Sequence, residues 1–231
     1  VFDADRMAHD IGAHRITHLV GGDDLLGRLM ELDPPTWPAC RRGAIADFGG
    51  RAVDVARWAD GRGIALSGVY GPSELFALIS TWPAELPLHE RVPVGGVPVS
   101  PGIEVRAVDS ETGAVCAPGE TGELQFRGYP ITSGYLGGPA VPVDAEGWFA
   151  SGDLGSTTAE GAFHYRCRAG DALRLRGFLV EPAEIESFLL EQDGVDGAKV
   201  VGAGGVAVAF VTLRPGAAVT GVDLQDRCRA A

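Results

Sequence analysis

One short segment of the chain combines the side chains that a nucleotide site needs. In Tyr70-Gly-Pro-Ser-Glu74 an aromatic ring can cover a purine, and a glycine allows close backbone approach. The hydroxyl can donate to a phosphate oxygen, and the carboxylate can bind Mg²⁺. The segment follows a predicted strand, which is where doubly wound sheets bind ligands. Taken alone, a Pro-containing turn capped by Ser73 is the commoner explanation of this pattern.

A second segment, Ser151-Gly-Asp-Leu154, places a carboxylate beside a glycine. Asp153 can accept two hydrogen bonds from vicinal hydroxyls such as those of a sugar, although Ser-Gly-Asp is also a common turn. Arg168, taken by itself, is typical of an exposed strand.

Two other polar features have commoner structural explanations. Asp23-Asp24 has the composition of a metal-binding pair, but its position before an apolar stripe over residues 25–30 favours helix capping. His18 stands alone in an apolar run. Such a histidine is more typical of a buried, hydrogen-bonded core position than of a catalytic one.

The elements that must position these residues change in kind along the chain. Strands alternate with helices through residue 80, which predicts a mainly parallel, doubly wound α/β sheet. Residues 93–167 hold short β-prone runs between Gly and Pro, which predicts a β-rich subdomain. Beyond them, a strand and a helix that begins near Pro182 predict a small α+β domain. The predicted boundaries are 1–95 for the later part of an α/β domain, 96–168 for its β-rich subdomain and 169–231 for the start of the small domain.

Composition excludes several classes of protein. The net charge of −12 argues against nucleic-acid binding, because phosphate contacts need clustered Lys and Arg. The four cysteines lie far apart without metal-ligand or redox spacing, which favours a reduced, cytoplasmic setting. No apolar run of about 18 residues predicts a membrane span. The first residues lack a signal-peptide pattern and are typical of a chain entered part-way.

Four segments follow one another in a fixed order along the chain. They are Tyr70-Gly-Pro-Ser-Glu74, Gly122-Glu-Leu-Gln-Phe-Arg-Gly128 with Gly134-Tyr-Leu136, Gly147-Trp-Phe-Ala-Ser-Gly-Asp-Leu154, and Arg168 through Arg176-Gly-Phe-Leu-Val-Glu-Pro-Ala-Glu-Ile-Glu186. In this order and spacing they resemble the adenylate-forming enzymes, which include acyl-CoA synthetases and the adenylation domains of peptide synthetases, and residues 180–186 form the most specific string. That family activates a carboxylic acid with ATP and Mg²⁺ to an acyl-AMP, and usually passes the acyl group to a thiol such as CoA.

The resemblance implies a role for each residue that matches a family motif. Ser73, which replaces the family's Thr, and Glu74 are the expected catalytic residues, with Ser73 at the α-phosphate and Glu74 as the Mg²⁺ ligand. The expected nucleotide-binding residues are Tyr70 for adenine stacking, Gly71 beside it, Asp153 for the ribose hydroxyls and Arg168 for the ribose or phosphates. Ala150 and Ser151 depart from the family's basic residue and Thr, and Cys167 replaces its usual Gly.

Other positions implied by the resemblance concern the acid and domain movement. Phe48, Gly49 and Gly50 partly match a Ser-Gly-Gly-Ala segment and are expected in the wall of the acyl pocket. Gly170 stands where the family has a hinge residue, and glycine tolerates the required changes in backbone angles. Gly177 falls in the loop that enters the site for the CoA step.

Two features of the family are expected outside these 231 residues. They are a phosphate loop ahead of Val1 and a catalytic lysine beyond Ala231. The sole lysine, Lys199, lies in a strand context and is no substitute. Cationic donors stabilise charge on the phosphate that is attacked, so the chain alone is expected to be inactive without the remainder of the same enzyme.

Three functions are compatible with these motifs. An acyl-CoA synthetase acting on a small carboxylic acid is favoured, and Phe178-Leu179 with the Gly-rich pocket segments favour a fatty or cyclic acid. The second is a peptide-synthetase adenylation domain or acyl-AMP ligase that loads a carrier protein, since Pro72 is common there. The third is a non-catalytic remnant that binds AMP or a protein partner.

Overall fold

The computed structural model describes residues 2–171, 173–175, 178–203 and 206–230. The chain divides into two compact units, Val1–Tyr165 and Arg166–Ala231. The mixed α/β class predicted from the sequence is confirmed. The finer division at residues 95 and 168 stays a prediction.

Three parallel strands with crossover helices begin the first unit, and this part follows the predicted alternation. Gly22 pairs with Ala46 and Ile45 pairs with Gly68, so the three strands end at the same edge of the sheet. Apolar residues on one side of each helix pack over the strands, as the helical period requires. The elements are α1 Ala4–Ala13, β1 His18–Gly22, α2 Asp23–Leu32, β2 Arg42–Ala46, α3 Ala52–Asp60 and β3 Ala65–Tyr70.

The β-rich segment extends the same sheet. Its strand order is β1-β2-β3-β4-β5-β9-β8-β7-β6, and the register is antiparallel from β3 to β4, β4 to β5 and β5 to β9. Phe126 and Phe163 are fully buried in a second core at this end. The elements are a short 3₁₀ helix Ser73–Leu75, β4 Ser80–Thr81, α4 Leu88–Arg91, β5 Gly95–Pro98, β6 Ile103–Val108, β7 Gly122–Gly128, β8 Phe149–Thr157 and β9 Phe163–Arg168.

The second unit has its own small core. Leu173, Leu189, Val195, Val200 and Leu224 are buried together. The helix predicted near Pro182 is confirmed, with the proline in its first turn, where the missing N–H costs nothing. Two antiparallel strand pairs complete the unit. The elements are β10 Leu173–Leu175, β11 Phe178–Val180, α5 Pro182–Leu190, β12 Val195–Ala203, β13 Val206–Leu213 and α6 Gly221–Ala230.

Two local predictions are wrong. Asp23 and Asp24 do not cap α2, because Gly22 is its N-cap residue and both aspartates lie inside the first turn. His18 is exposed rather than buried, and it lies on β1, the edge strand of the sheet. The hydrogen bond described for its side chain is with the hydroxyl of the neighbouring Thr17. Within the described ranges, no helix is long and apolar enough to cross a bilayer.

Candidate functional site

The loops that follow β1, β2 and β3 meet at the carboxyl edge of the parallel strands. In open α/β sheets this edge is where ligands bind. The loop after β2 carries the predicted acyl-pocket residues, and the loop after β3 carries the predicted nucleotide motif. The sheet therefore brings the two predicted parts of the site to one side of the first unit.

Tyr70 and Asp153 are joined by a buried hydrogen bond. The Tyr70 hydroxyl donates to Asp153 Oδ2 over 2.5 Å, although the residues are 83 positions apart. The Tyr70 ring stacks on Phe126 at a centroid distance of 5.5 Å and meets Phe163 edge-on at 5.3 Å. Tyr70 is only 7% exposed, so its ring is mainly part of the core, and a purine could stack on it only if a neighbouring ring moved.

This bond also sets the protonation of Tyr70. Burial raises the pKa of the Tyr70 hydroxyl, and the hydrogen bond to Asp153 and the charge of that carboxylate raise it further. The hydroxyl therefore stays protonated at neutral pH and remains a donor to Asp153.

The Ser151-Gly-Asp153 segment is fixed by its own hydrogen bonds within β8. The Ser151 hydroxyl donates to the Leu124 carbonyl over 2.6 Å, and the Asp153 N–H donates back to Ser151 Oγ over 3.1 Å. Asp153 is only 4% exposed, and carboxylates are rarely buried to this extent unless they have partners. The serine that replaces the family's threonine thus holds the backbone of the aspartate.

Glu74 lies in the 3₁₀ helix and is half-buried, whereas Ser73 beside it is exposed. Tyr135 donates its hydroxyl to Glu74 Oε1 over 2.6 Å, and the Thr132 N–H donates to the Glu74 carbonyl over 2.9 Å. The bond to Glu74 raises the pKa of Tyr135, as burial and the charge of Glu74 also do. The loop around Gly134-Tyr135, which has only a structural role in the resemblance, therefore positions the predicted metal ligand.

Gly71 is needed by a close backbone approach. A Cβ built on Gly71 would lie 2.3 Å from the Ala77 carbonyl carbon and 2.5 Å from the Leu78 nitrogen. The turn that brings this peptide in contains two consecutive residues in the left-handed region, Phe76 with φ 64° and Ala77 with φ 62°. Non-glycine residues pay a steric cost there, and such strain clusters at functional sites.

The predicted acyl-pocket loop is held by carboxylates. Asp23 accepts the N–H groups of Phe48 at 3.0 Å, Gly49 at 2.9 Å and Arg51 at 3.0 Å. The Gly50 N–H donates to Asp47 Oδ1 over 2.8 Å. Gly50 has φ 77°, which explains glycine at this position.

The two carboxyl groups of this loop influence each other. Burial would raise the pKa of Asp23, but the N–H groups of Arg51, Phe48 and Gly49 and a hydrogen bond with Asp47 together lower it. Burial and the charge of Asp23 raise the pKa of Asp47. Asp23 is therefore the ionised member of the pair as the pH falls.

The remaining predicted residues belong to the second unit. Arg168 is exposed at the end of β9, and its carbonyl accepts from the Asp171 N–H in a turn that contains Gly170. Among the described residues, no atom lies within 4 Å of where a Cβ of Gly170 would stand. Gly177 lies outside the residues that the structure describes.

Sequence reasoning missed three residues of this region. Tyr135 lies in the Gly134-Tyr-Leu136 segment, to which only a structural role was given, Asp47 was not singled out, and Asp23 was assigned to helix capping. The signal that could have found Asp23 is the register of β1 and β2, because the pairing of Gly22 with Ala46 sets Asp23 beside Asp47.

Comparison with known proteins gives a family match over more than half of the chain. A family model described as AMP-binding enzyme matches residues 1–136. The 2-succinylbenzoate–CoA ligase of Geobacillus sp. (strain WCH70) is 29% identical over 237 residues, which cover 99% of this chain and 47% of the relative. A probable non-canonical nonribosomal peptide synthetase, CymA, of Salinispora arenicola (strain CNS-205) is 30% identical over an alignment of 251 residues. The alignment covers 100% of this chain and 3% of that protein.

The fold is also shared with solved structures. The O-succinylbenzoate coenzyme A synthetase of Bacillus subtilis, solved with ATP and a magnesium ion, superposes with a TM-score of 0.83 at 26% identity. The superposition covers 99% of this chain and 48% of that structure. The chain thus spans about half the length of this structure and of the Geobacillus ligase.

Proposed function

We propose, because the chain belongs to the AMP-binding enzyme family, that it forms part of an ATP-dependent acid–thiol ligase. In this proposal the carboxylate of the acid attacks the α-phosphorus of ATP and pyrophosphate leaves. The thiol of CoA then attacks the carbonyl carbon of the acyl-AMP, loses its proton and forms the thioester as AMP leaves. The CoA-ligase relative that aligns along 99% of the chain supports CoA as the acceptor. The activity belongs to the longer enzyme of which this chain would be a part.

The observation that carries the proposal is the buried pair of Tyr70 and Asp153. A carboxylate at 4% exposure is costly unless it has polar partners. The Tyr70 hydroxyl donates to Oδ2 over 2.5 Å, and carboxylate oxygens are the kind of acceptor that a pair of ribose hydroxyls requires. A ribose bound by Asp153 would put the attached adenine beside Tyr70, as the motif roles require.

The loop after β3 fits a phosphate group with a bound cation. Ser73 is exposed and can donate its hydroxyl to a phosphate oxygen, and Glu74 offers carboxylate oxygens of the kind Mg²⁺ prefers. Mg²⁺ would supply charge neutralisation at the phosphates. The Tyr135 hydroxyl on Glu74 Oε1 would keep that carboxylate in place.

The chain by itself would catalyse little. Its only lysine, Lys199, lies 3.1 Å from Glu186 Oε1 in the second unit and is paired there. Stabilising the charge on the attacked phosphate is the largest task in this reaction, and cationic donors supply much of it.

A second candidate is an adenylating unit that loads a carrier protein. The peptide synthetase from Salinispora aligns along the whole chain at 30% identity, which favours this acceptor as the alternative to CoA. The two candidates share the adenylation half-reaction and differ only in the thiol.

Acid-dependent exchange of pyrophosphate into ATP tests the shared half-reaction. Fatty, aromatic and amino acids would be tested as pools, with this chain and with the longer parent protein. We expect exchange by the parent with one pool and none by the chain alone. A parent that shows no exchange with any pool, while still binding AMP, would instead be the non-catalytic AMP-binding protein. Product analysis with CoA and with a carrier protein then separates the two acceptors.

A further inference from the structure

We infer that Asp23 is a positioning residue for the acid site, and that it holds the loop of residues 48–51 so that Phe48 forms an apolar wall for the acyl group. The inference rests on the proposed function and names the substrate class at that site. The class is a carboxylic acid whose acyl part is apolar and carries no second negative charge.

The first support is the number of bonds that fix this loop. The backbone N–H groups of four consecutive residues, 48 to 51, all donate to carboxylates, three to Asp23 and one to Asp47. Asp23 has no exposed surface, and hydrogen bonds to buried charged acceptors are among the stronger ones in proteins. These four bonds restrict the backbone of the loop.

The second support is the side chain that this loop presents. Phe48 is 81% exposed, although its loop is anchored to a fully buried carboxylate. Its ring lies against Gly22, where a built Cβ would stand 3.0 Å from Phe48 Cδ2. A rigidly placed aromatic ring offers a large apolar contact with little loss of side-chain entropy on binding.

The third support is location and charge. The loop follows β2, which is paired with β3, so Phe48 stands at the sheet edge from which Tyr70 leads into the nucleotide motif. The carboxyl groups of Asp23 and Asp47 accept the N–H groups of residues 48–51 and so lie at the base of this loop. Negative charges there disfavour an acyl group that ends in another carboxylate, whereas the Phe48 ring favours an apolar one.

The test measures how much an acyl group adds to nucleotide affinity. AMP and three sulfamoyl adenosines, carrying octanoyl, benzoyl or succinyl groups, would be titrated into the full 231-residue chain by calorimetry. Wild type, Asp23→Asn, Phe48→Ala and Asp24→Asn would be compared. Asp24→Asn is the matched control, because Asp24 has the same charge at the next position but is exposed.

We expect the octanoyl or the benzoyl analogue to bind more tightly than AMP. The succinyl analogue should show a smaller gain in affinity over AMP. Asp23→Asn and Phe48→Ala should each reduce this gain about tenfold, which corresponds to about 1.4 kcal/mol, and leave AMP affinity unchanged. Asp24→Asn should leave the affinity gain from the acyl group and the AMP affinity unchanged. Hydrogen exchange of the amides of residues 48–51 should accelerate in Asp23→Asn alone.

Other outcomes would overturn the inference in different ways. An equal loss of AMP and acyl-analogue affinity in Asp23→Asn would show a purely structural role. No acyl gain in wild type, or a gain that Phe48→Ala leaves intact, would remove the loop from the acid site while the nucleotide assignment stands. Absence of AMP binding in wild type would remove the nucleotide site from this chain, and this inference with it, whereas pyrophosphate exchange by the longer parent tests the proposed function separately. Phe48 is exposed, so Phe48→Ala is expected to fold even if Asp23→Asn does not.

Discussion

At the scale of single residues, the Tyr70 hydroxyl and the Asp153 carboxylate depend on each other. The pair is buried, and removing one partner leaves the other without its hydrogen bond in a place that water does not reach freely. Both residues also belong to the predicted nucleotide site. Substitutions here should therefore change stability as well as binding, and the two effects must be measured separately.

Tyr70 should not titrate in the folded protein over the usual alkaline range. Its pKa is raised, so the bond to Asp153 stabilises the fold fully below the ordinary tyrosine pKa of about 10 and is lost only as the pH rises through the higher folded value. We expect wild type and Tyr70→Phe to show equal tyrosinate absorbance up to the pH of alkaline unfolding. An additional tyrosinate in wild type before unfolding would contradict the buried hydrogen bond.

Asp153→Ala should destabilise the first unit. The Tyr70 hydroxyl would lose its acceptor, which costs about 1–3 kcal/mol for a buried donor. Asp153→Asn keeps a carbonyl acceptor and should cost less. The free energy of unfolding in urea, followed by tyrosine and tryptophan fluorescence, measures both. An Asp153→Ala variant as stable as wild type would show that the pair does not hold the fold.

Residue types were predictable here, but their contacts were not. The sequence indicates which carboxylates and rings could bind a nucleotide, because those types have fixed chemistry. It does not show that Tyr70 and Asp153 meet across 83 positions, since that depends on β8 and β3 lying in one sheet. The same holds for Asp23, whose partners are supplied by the loop after the neighbouring strand.

At the scale of elements, the segment between β3 and β4 is shaped by backbone contact. Gly71 passes so close to the peptide of Ala77 and Leu78 that no side chain fits between them. The strained pair Phe76-Ala77 closes this turn directly after the 3₁₀ helix that carries Glu74.

Gly71→Ala should therefore distort the turn and destabilise the protein by about 1–3 kcal/mol, as overpacking does elsewhere. Gly61→Ala is the matched control in the same unit, because Gly61 has an ordinary φ of −59° and its Cβ would stand 3.4 Å from the Trp58 carbonyl oxygen. The melting temperatures of both variants, measured by thermal unfolding, show whether the close approach at Gly71 matters for stability. Equal melting temperatures would mean that the turn can move away without cost.

The sequence predicts whether a segment is a helix or a strand better than it predicts the residues at which that segment begins and ends. The apolar period over residues 51–60 predicts α3 well, and the helix expected from Pro182 onward is α5, since burial of one helix face dominates there. The β-prone runs at residues 16–20 and 44–48 predict the first two strands two residues away from where they lie, at His18–Gly22 and Arg42–Ala46. Strand ends depend on pairing with neighbours, and an apolar run alone does not show where pairing stops.

At the scale of the whole molecule, each of the two units has its own buried core. Leu189→Ala, in the second unit, should speed hydrogen exchange in residues 178–230 and leave residues 2–165 protected. Leu66→Ala, in the first unit, should do the converse. Each substitution should cost its own unit about 2–5 kcal/mol. Equal loss of protection in both units would show that they unfold together.

The assignment of Asp153 to the ribose is tested by comparing AMP with 2′,3′-dideoxy AMP in calorimetric titrations of wild type and Asp153→Ala. Asp54→Ala, which replaces an exposed aspartate on α3, is the control. We expect wild type and the control to bind AMP more tightly than the dideoxy nucleotide by roughly tenfold or more, as for hydrogen bonds to a charged group, and Asp153→Ala to lose this preference. The same preference in all three proteins would contradict the assignment of Asp153 to the ribose.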